Sequence, residues 1–124
     1  MIKVERIYSA AGDEKGMRIL VERLWPRGFT KEKANLAMWM KDTAPTDTLR
    51  KWFNHDPAKW QEFKRKYHEE LDKNPETEKL IDLCKKNDVI FLFSSKEERM
   101  NNAVALKEYI EQKIKKQLDL LITF

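Results

Sequence analysis

The sequence predicts an α/β protein: a single layered domain with a small central sheet, largely parallel or mixed, flanked by helices. Two patterns lead to that expectation. Short extended-looking segments, "IKVERIY", "MRILVERLW" and "DVIFLF", are separated by longer stretches whose apolar residues recur at helical spacing, and strands alternating with helices favour crossover connections and layered packing. "DVIFLF" at 88–93 is apolar without alternation, as expected of a strand covered on both faces and therefore central. The 124 residues, 41% hydrophobic and 10% aromatic, are enough for one core and too few for two domains of ordinary size.

The elements follow in order. Residues 2–8 set Ile2, Val4 and Arg6 against Lys3, Glu5 and Ile7, and residues 17–25 place Met17, Ile19 and Val21 on one side, so both read as strands. Between them "SAAGDEKG" holds two of the three glycines together with Asp13, which suits a loop needing positive φ. Pro26 and Gly28 stop the second strand. In "NLAMWMK", Leu36, Met38 and Met40 alternate with Ala37, Trp39 and Lys41, compatible with a third strand or a helix. Thr46 or Asp47 caps a short helix carrying Leu49, Trp52 and Phe53. Asp56 and Pro57 open the strongest helix, striped by Trp60, Phe63, Tyr67 and Leu71. Asn74-Pro75 breaks it, and another helix runs over about 76–86. Ser94 and Ser95 each precede a glutamate by three residues, Glu97 and Glu98, the capping-box pattern for a helix of roughly 97–115 striped by Ala103, Leu106, Ile110 and Ile114. The tail "LDLLITF" reads as an edge strand or a cover over exposed surface.

Composition narrows the function classes. The 25 Lys and Arg against 21 Asp and Glu leave +4, which permits nucleic-acid binding without demanding it. The single cysteine, Cys84, rules out an intrachain disulfide and sits with Leu80 and Ile81 on one helical face, the place of a small buried hydrophobe in a protein of the reducing cytoplasm. Charges interrupt the N-terminal "MIKVERIYSA", unlike a signal peptide, and no apolar run reaches bilayer length. Two scattered histidines with one cysteine are not a structural zinc set. Phosphate-cradling glycine loops and the nucleophile elbow are also missing.

Four separated motifs, "VERLWPRG", "MWMKDTAP", "LRKWFNHDP" and "NNAVALKEY", occur in an order and spacing that resembles the DUF488 family, the YeaO-like proteins, across about residues 2–110. The resemblance implies a small α/β cytoplasmic protein and carries no assigned chemistry. Residues 116–124 form a C-terminal extension beyond the similarity, within a single domain spanning 1–124. In two places the chain departs from the family pattern. "SAAGDEKG" stands where relatives tend to have a proline-containing loop, and Met100 stands where a histidine often precedes the paired asparagines. The second departure weakens any mechanism that needs a base there.

Ligands of layered α/β proteins sit beyond the carboxyl ends of the strands, and two polar motifs fall at such ends: "RLWPRG" after the second strand and "SSKEERMNN" after the buried one. Arg23 and Arg27 each offer paired donors for an oxyanion, with Lys41 nearby as a further cation. Amides opening the last helix, the hydroxyls of Ser94 and Ser95, and Lys96 favour the same charge. Trp25 offers a flat face to a ring, and Asn101 and Asn102 offer amides to a polar ligand. Each has a structural alternative: Arg23 paired with Asp42 or Asp56, Trp25 filling the core, the serines capping, the asparagines bonding a neighbouring loop.

"KDTAP" and "RKWFNHDP" crowd Lys41, Asp42, Arg50, His55 and Asp56 together in sequence. His55 beside Asp56 is the candidate acid-base pair, because an imidazole near a carboxylate titrates close to neutrality. The alternative is that Asp56 only caps its helix. His68, with Gln61, Lys64 and Arg65, reads as a solvated residue on a polar helix face. The leading expectation is a small anionic ligand, phosphate-bearing or nucleotide-like, with no cofactor indicated. A nucleic-acid module would use Lys64, Arg65, Lys66 and the lysines at 113, 115 and 116, although interspersed glutamates disfavour it. A structural, partner-binding role would use the apolar tail.

Overall fold

The computed structural model describes residues 1–9 and 15–123, the side chain of Thr123 excepted. The expected positive-φ loop therefore lies largely outside the described residues, apart from Gly16, whose φ is +146°. Four strands, β1 (Ile2–Arg6), β2 (Met17–Leu20), β3 (Met38–Trp39) and β4 (Val89–Phe93), form one sheet in the order β1-β4-β2-β3. Every pairing is parallel. The expectation of a small, layered α/β domain is met, with the sheet wholly parallel rather than mixed.

β4 is buried along its entire length and lies between β1 and β2, as its unbroken apolar run requires. Its register aligns Ile2 with Val89 on one side and Met17 with Val89 on the other. β2 ends at Leu20 instead of continuing toward Trp25. The backbone amide of Val21 still donates to the Leu92 carbonyl (3.3 Å). At the next pair in register the Glu22 side chain takes the Ser94 amide, at 2.9 Å, so a carboxylate replaces the ladder. Pro26, without an N–H, prevents a return to pairing.

Five helices complete the fold. A single-turn α1 (Lys31–Ala34) has too few residues to show periodicity; Thr30 caps it by accepting from the Lys33 amide, and Asn35 ends it in the left-handed region. α2 (Asp47–Phe53) starts behind Thr46, whose hydroxyl accepts from the Leu49 amide. Asp56 caps a 3-10 turn at Pro57–Lys59 that leads into α3 (Trp60–Lys73). α4 (Glu76–Lys86) has the expected bounds.

α5 (Asn102–Thr123) corrects two expectations. It starts beyond 97 because Ser94 and Ser95 do not cap it. Glu97 turns its carboxylate onto the amides of Arg99 and Met100 (3.1 and 3.0 Å), and Asn101 is the cap, its side-chain oxygen accepting from the Val104 amide (3.0 Å). The tail is helix rather than an edge strand. Once a helix is nucleated each added residue contributes a bond, and Gln117, Leu118 and Leu120 are good helix formers.

Two clusters hold the layers together. On one sheet face Ile2, Ile19, Val89, Phe91 and Phe93 meet the apolar stripes of α2 to α5, including Phe53, Phe63, Tyr67, Leu80 and Leu106. On the other, Ile7, Leu20, Ile90 and Leu92 are covered by Ala34 of α1 together with Trp25, Phe29 and Leu36. Alternation along β4 divides its side chains between these faces. Cys84 is buried in the first cluster, and burial pushes its thiol pKa up to about 12. His68 corrects another expectation: its imidazole lies 3.1 Å from the Ala105 carbonyl and edge-on to Tyr109, so it faces α5 rather than water.

Candidate functional site

All four strands run the same way, so every β-to-α exit emerges on one edge of the sheet. β4 inserts between β1 and β2, and the segments leaving β2 and β4 then diverge, toward β3 and toward α5. A cleft of about 280 Å³ opens between them, lined by Glu22, Arg23, Leu24, Ala44, Pro45, Arg50, Phe53, His55, Phe63, Ser94, Ser95, Asn101 and Asn102. Six predicted site residues thus share one cavity: Arg23, His55, Ser94, Ser95, Asn101 and Asn102.

Arg23 is held by neutral partners. Its Nε donates to the Pro45 carbonyl (3.3 Å) and its Nη2 to the Ala44 carbonyl (3.1 Å). Among the described residues no carboxylate forms a salt bridge with it, so the structural alternative of pairing with Asp42 or Asp56 is not realised. Arg50, on α2, meets Asp47 at 3.4 Å, with both side chains about half exposed. A pair that exposed is weak and competes poorly with a ligand.

The opposite wall carries Glu22. Its Oε1 accepts from both the amide and the hydroxyl of Ser94 (2.9 and 3.4 Å). The Ser94 donors are therefore already engaged. Burial raises the Glu22 pKa above the ordinary glutamate range, with the Ser94 hydrogen bonds, Arg50 and His55 opposing that shift. Its Oε2 has no hydrogen-bond partner among the described residues and is not buried, in a side chain that lines the cleft. Trp39 Nε1 donates to the Glu22 carbonyl (2.7 Å) and fixes the backbone there.

The two asparagines divide structural and site roles. Asn101 is buried and consumed by capping, since its Nδ2 also donates to the Glu97 carbonyl (2.8 Å). Asn102 donates Nδ2 to the Val21 carbonyl (2.7 Å), tying α5 to the end of β2. A carbonyl partner requires the amide nitrogen on that side, so Oδ1 points away from it without a donor among the described residues. The opening amides of the 22-residue α5 add the partial positive charge of a helix start at the same place.

His55 does not form a dyad with Asp56. The Asp56 carboxylate accepts from the Ala58 amide (3.0 Å), as a cap should, and no hydrogen bond joins it to the imidazole. Instead His55 sits exposed in the left-handed region (φ 54°), directly after Asn54 at φ 46°. Non-glycine residues rarely take such angles, and two in succession turn the chain sharply from α2 into the 3-10 turn. That turn sets the imidazole at the mouth of the cleft and of a neighbouring groove formed with Pro57, Ser95, Lys96, Glu97 and Met100.

The remaining predicted residues lie elsewhere. Trp25 packs on the second sheet face, its Nε1 donating to the Phe29 carbonyl (2.8 Å) and its ring edge-on to Trp39. Arg27 is exposed in the turn, where its carbonyl accepts from the Tyr8 hydroxyl (2.9 Å). Lys41 places its ammonium over the Trp39 ring, and Lys96 lines the neighbouring groove. The basic clusters are largely paired: Arg65 with Glu62 and Glu69, Lys64 with Glu108 (3.1 Å), Lys113 with Asp72 (3.3 Å), and Lys66 over Trp52. Among the described residues no group of three His, Cys, Asp or Glu side chains could hold a metal, and no helix is long and apolar enough to cross a membrane.

Residues 1–120 match the family described as the inactive DUF488-N3 subclade. The chain belongs to that DUF488 subclade. Among relatives of this DUF488 protein, the uncharacterised YeaO of Escherichia coli is 36% identical over 110 residues, covering 88% of this chain and 96% of its own. Uncharacterised proteins of Mycobacterium tuberculosis and Mycobacterium bovis are each 40% identical over 70 residues, 56% of this chain. The chain spans 59% of the length of those mycobacterial relatives. No solved structure matches.

Sequence reasoning alone does not find Glu22, which inside "VERLW" looks like the solvent-facing member of an alternating strand. Its signal is register. With Leu20 opposite Leu92, residue 22 falls opposite residue 94, but that offset becomes known only once β2 and β4 are paired.

Proposed function

We propose that this DUF488 protein binds a small anionic ligand, phosphate-bearing or nucleotide-like, in the cleft beyond β2 and β4, without turning it over. The observation that carries this reading is Arg23. A half-buried guanidinium bonded only to carbonyls keeps its full charge and lacks the counter-ion that such an environment favours. Arg50 lines the same cavity, as does Asn102 at the start of α5, and a cation and a helix start favour the same ligand charge. Leu24, Pro45 and Phe53 supply the apolar wall that binding sites typically have.

The non-catalytic part rests on two other points. The family is described as inactive, and the His55–Asp56 pair lacks the hydrogen bond that would orient an acid-base imidazole. Against nucleic acid, acidic residues are interspersed among the lysines and arginines of α3 and α5 and pair with several of them, as on an ordinary solvated helix face.

Isothermal titration against a panel of inorganic phosphate, sugar phosphates and mononucleotides tests the reading. At least one ligand binds the wild type, and Arg23→Ala weakens it tenfold or more, about 1.4 kcal/mol. Equal binding by Arg23→Ala, or no binding across the panel, overturns it.

A further inference from the structure

The cleft presents acceptors as well as cations, and this constrains its ligand further. Glu22 Oε2 and Asn102 Oδ1 both lack donors among the described residues, while the cations Arg23 and Arg50 line the same cavity. A purely anionic ligand satisfies the cations but brings its charge toward the Glu22 carboxylate, and like charges in a partly desolvated site repel. A ligand that carries its own N–H donor converts that repulsion into a charge-assisted hydrogen bond.

We propose that the cleft selects a bifunctional, zwitterion-like molecule: an anionic group held by Arg23, and an ammonium or similar N–H group held by Glu22 and Asn102. This rests on the anionic-ligand reading and narrows its ligand class. Three features support the role of Glu22. Two Ser94 donors and the Trp39-anchored backbone hold the carboxylate in place before any ligand arrives, so little ordering is lost on binding. Burial disfavours its charge, and a cationic donor relieves that cost. Finally, a cavity of about 280 Å³ holds on the order of nine waters at their liquid volume, the room for a compact metabolite rather than a polymer.

The test compares two probes that share an anion, phosphoethanolamine and ethyl phosphate, by titration calorimetry on the full chain. Wild type binds phosphoethanolamine tenfold or more tightly than ethyl phosphate. Glu22→Gln keeps the acceptor for Ser94 but loses the charge; it brings the two probes within about twofold of each other (0.4 kcal/mol) while ethyl phosphate still binds. Arg23→Ala weakens both. If wild type binds both probes equally, the zwitterion proposal falls and the anionic reading stands. If it binds neither probe, nor any phosphate compound of the panel above, both fall. The wild-type comparison needs no variant, so the proposal remains falsifiable even where Glu22→Gln fails to fold.

Discussion

Glu22 gives the clearest expectation at the scale of single residues. Its pKa in the fold lies above the usual value because burial penalises the charge. A group whose folded pKa is raised favours the native state below its unfolded pKa, about 4.3 for glutamate, and that contribution is lost as pH rises through the folded pKa. Glu22→Gln therefore melts higher than wild type near neutral pH, and the gap closes as pH falls toward about 4. Thermal melts across that range check it, and a gap independent of pH contradicts it. Cys84 provides a second check. With its pKa pushed up to about 12 by burial, it resists thiol reagents at pH 8 until the protein unfolds. Its buried position was readable from helical spacing with Leu80 and Ile81. The role of Glu22 was not, because strand alternation assigns a side chain to a face and says nothing about which residue lies opposite.

Among the elements, the legible ones were those whose own residues carry the signal. The stripe of α3, the breaking Asn74-Pro75 before α4, and the unbroken apolar run of β4 each depend on local periodicity or backbone chemistry. The start of α5 was misread because serine followed three residues later by glutamate is only half of a capping box. The glutamate must reach back to the cap, and here Glu97 reaches forward to the amides of Arg99 and Met100. Asn101 performs the capping instead. Asn101→Ala costs about 1 kcal/mol and lowers the melting temperature, since it removes the cap on the Val104 amide together with a donor to the Glu97 carbonyl. The far end of α5 contributes little to the core: Leu121 is 74% exposed, whereas Leu106 is fully buried. Leu121→Lys therefore changes stability by less than about 0.5 kcal/mol, and Leu106→Ala costs about 2–5 kcal/mol. Denaturant titration of both variants measures the contrast, and a large loss at Leu121 would give the tail a packing role that its exposure excludes.

At the scale of the whole molecule, wholly parallel pairing is what makes a site from distant segments. It brings the exits of β2 and β4 to one edge, and so gathers Arg23, Ser94, Ser95 and Asn102 from opposite ends of the chain. The general placement of ligands beyond strand ends made that much legible. Trp25 and Arg27 lie outside the cleft because the turn after β2 doubles back over the second sheet face, a path set by the contacts of Trp25 with Phe29 and Trp39 rather than by local composition. The central claim is that this edge, and no other surface, receives a small anionic ligand. Its most direct test is amide chemical-shift mapping of the isotopically labelled protein titrated with phosphoethanolamine. Saturable shifts concentrated at residues 22–24, 94–95 and 101–103 are the expected result. Shifts confined to the lysine-rich faces of α3 and α5, or none at saturating ligand, would contradict it.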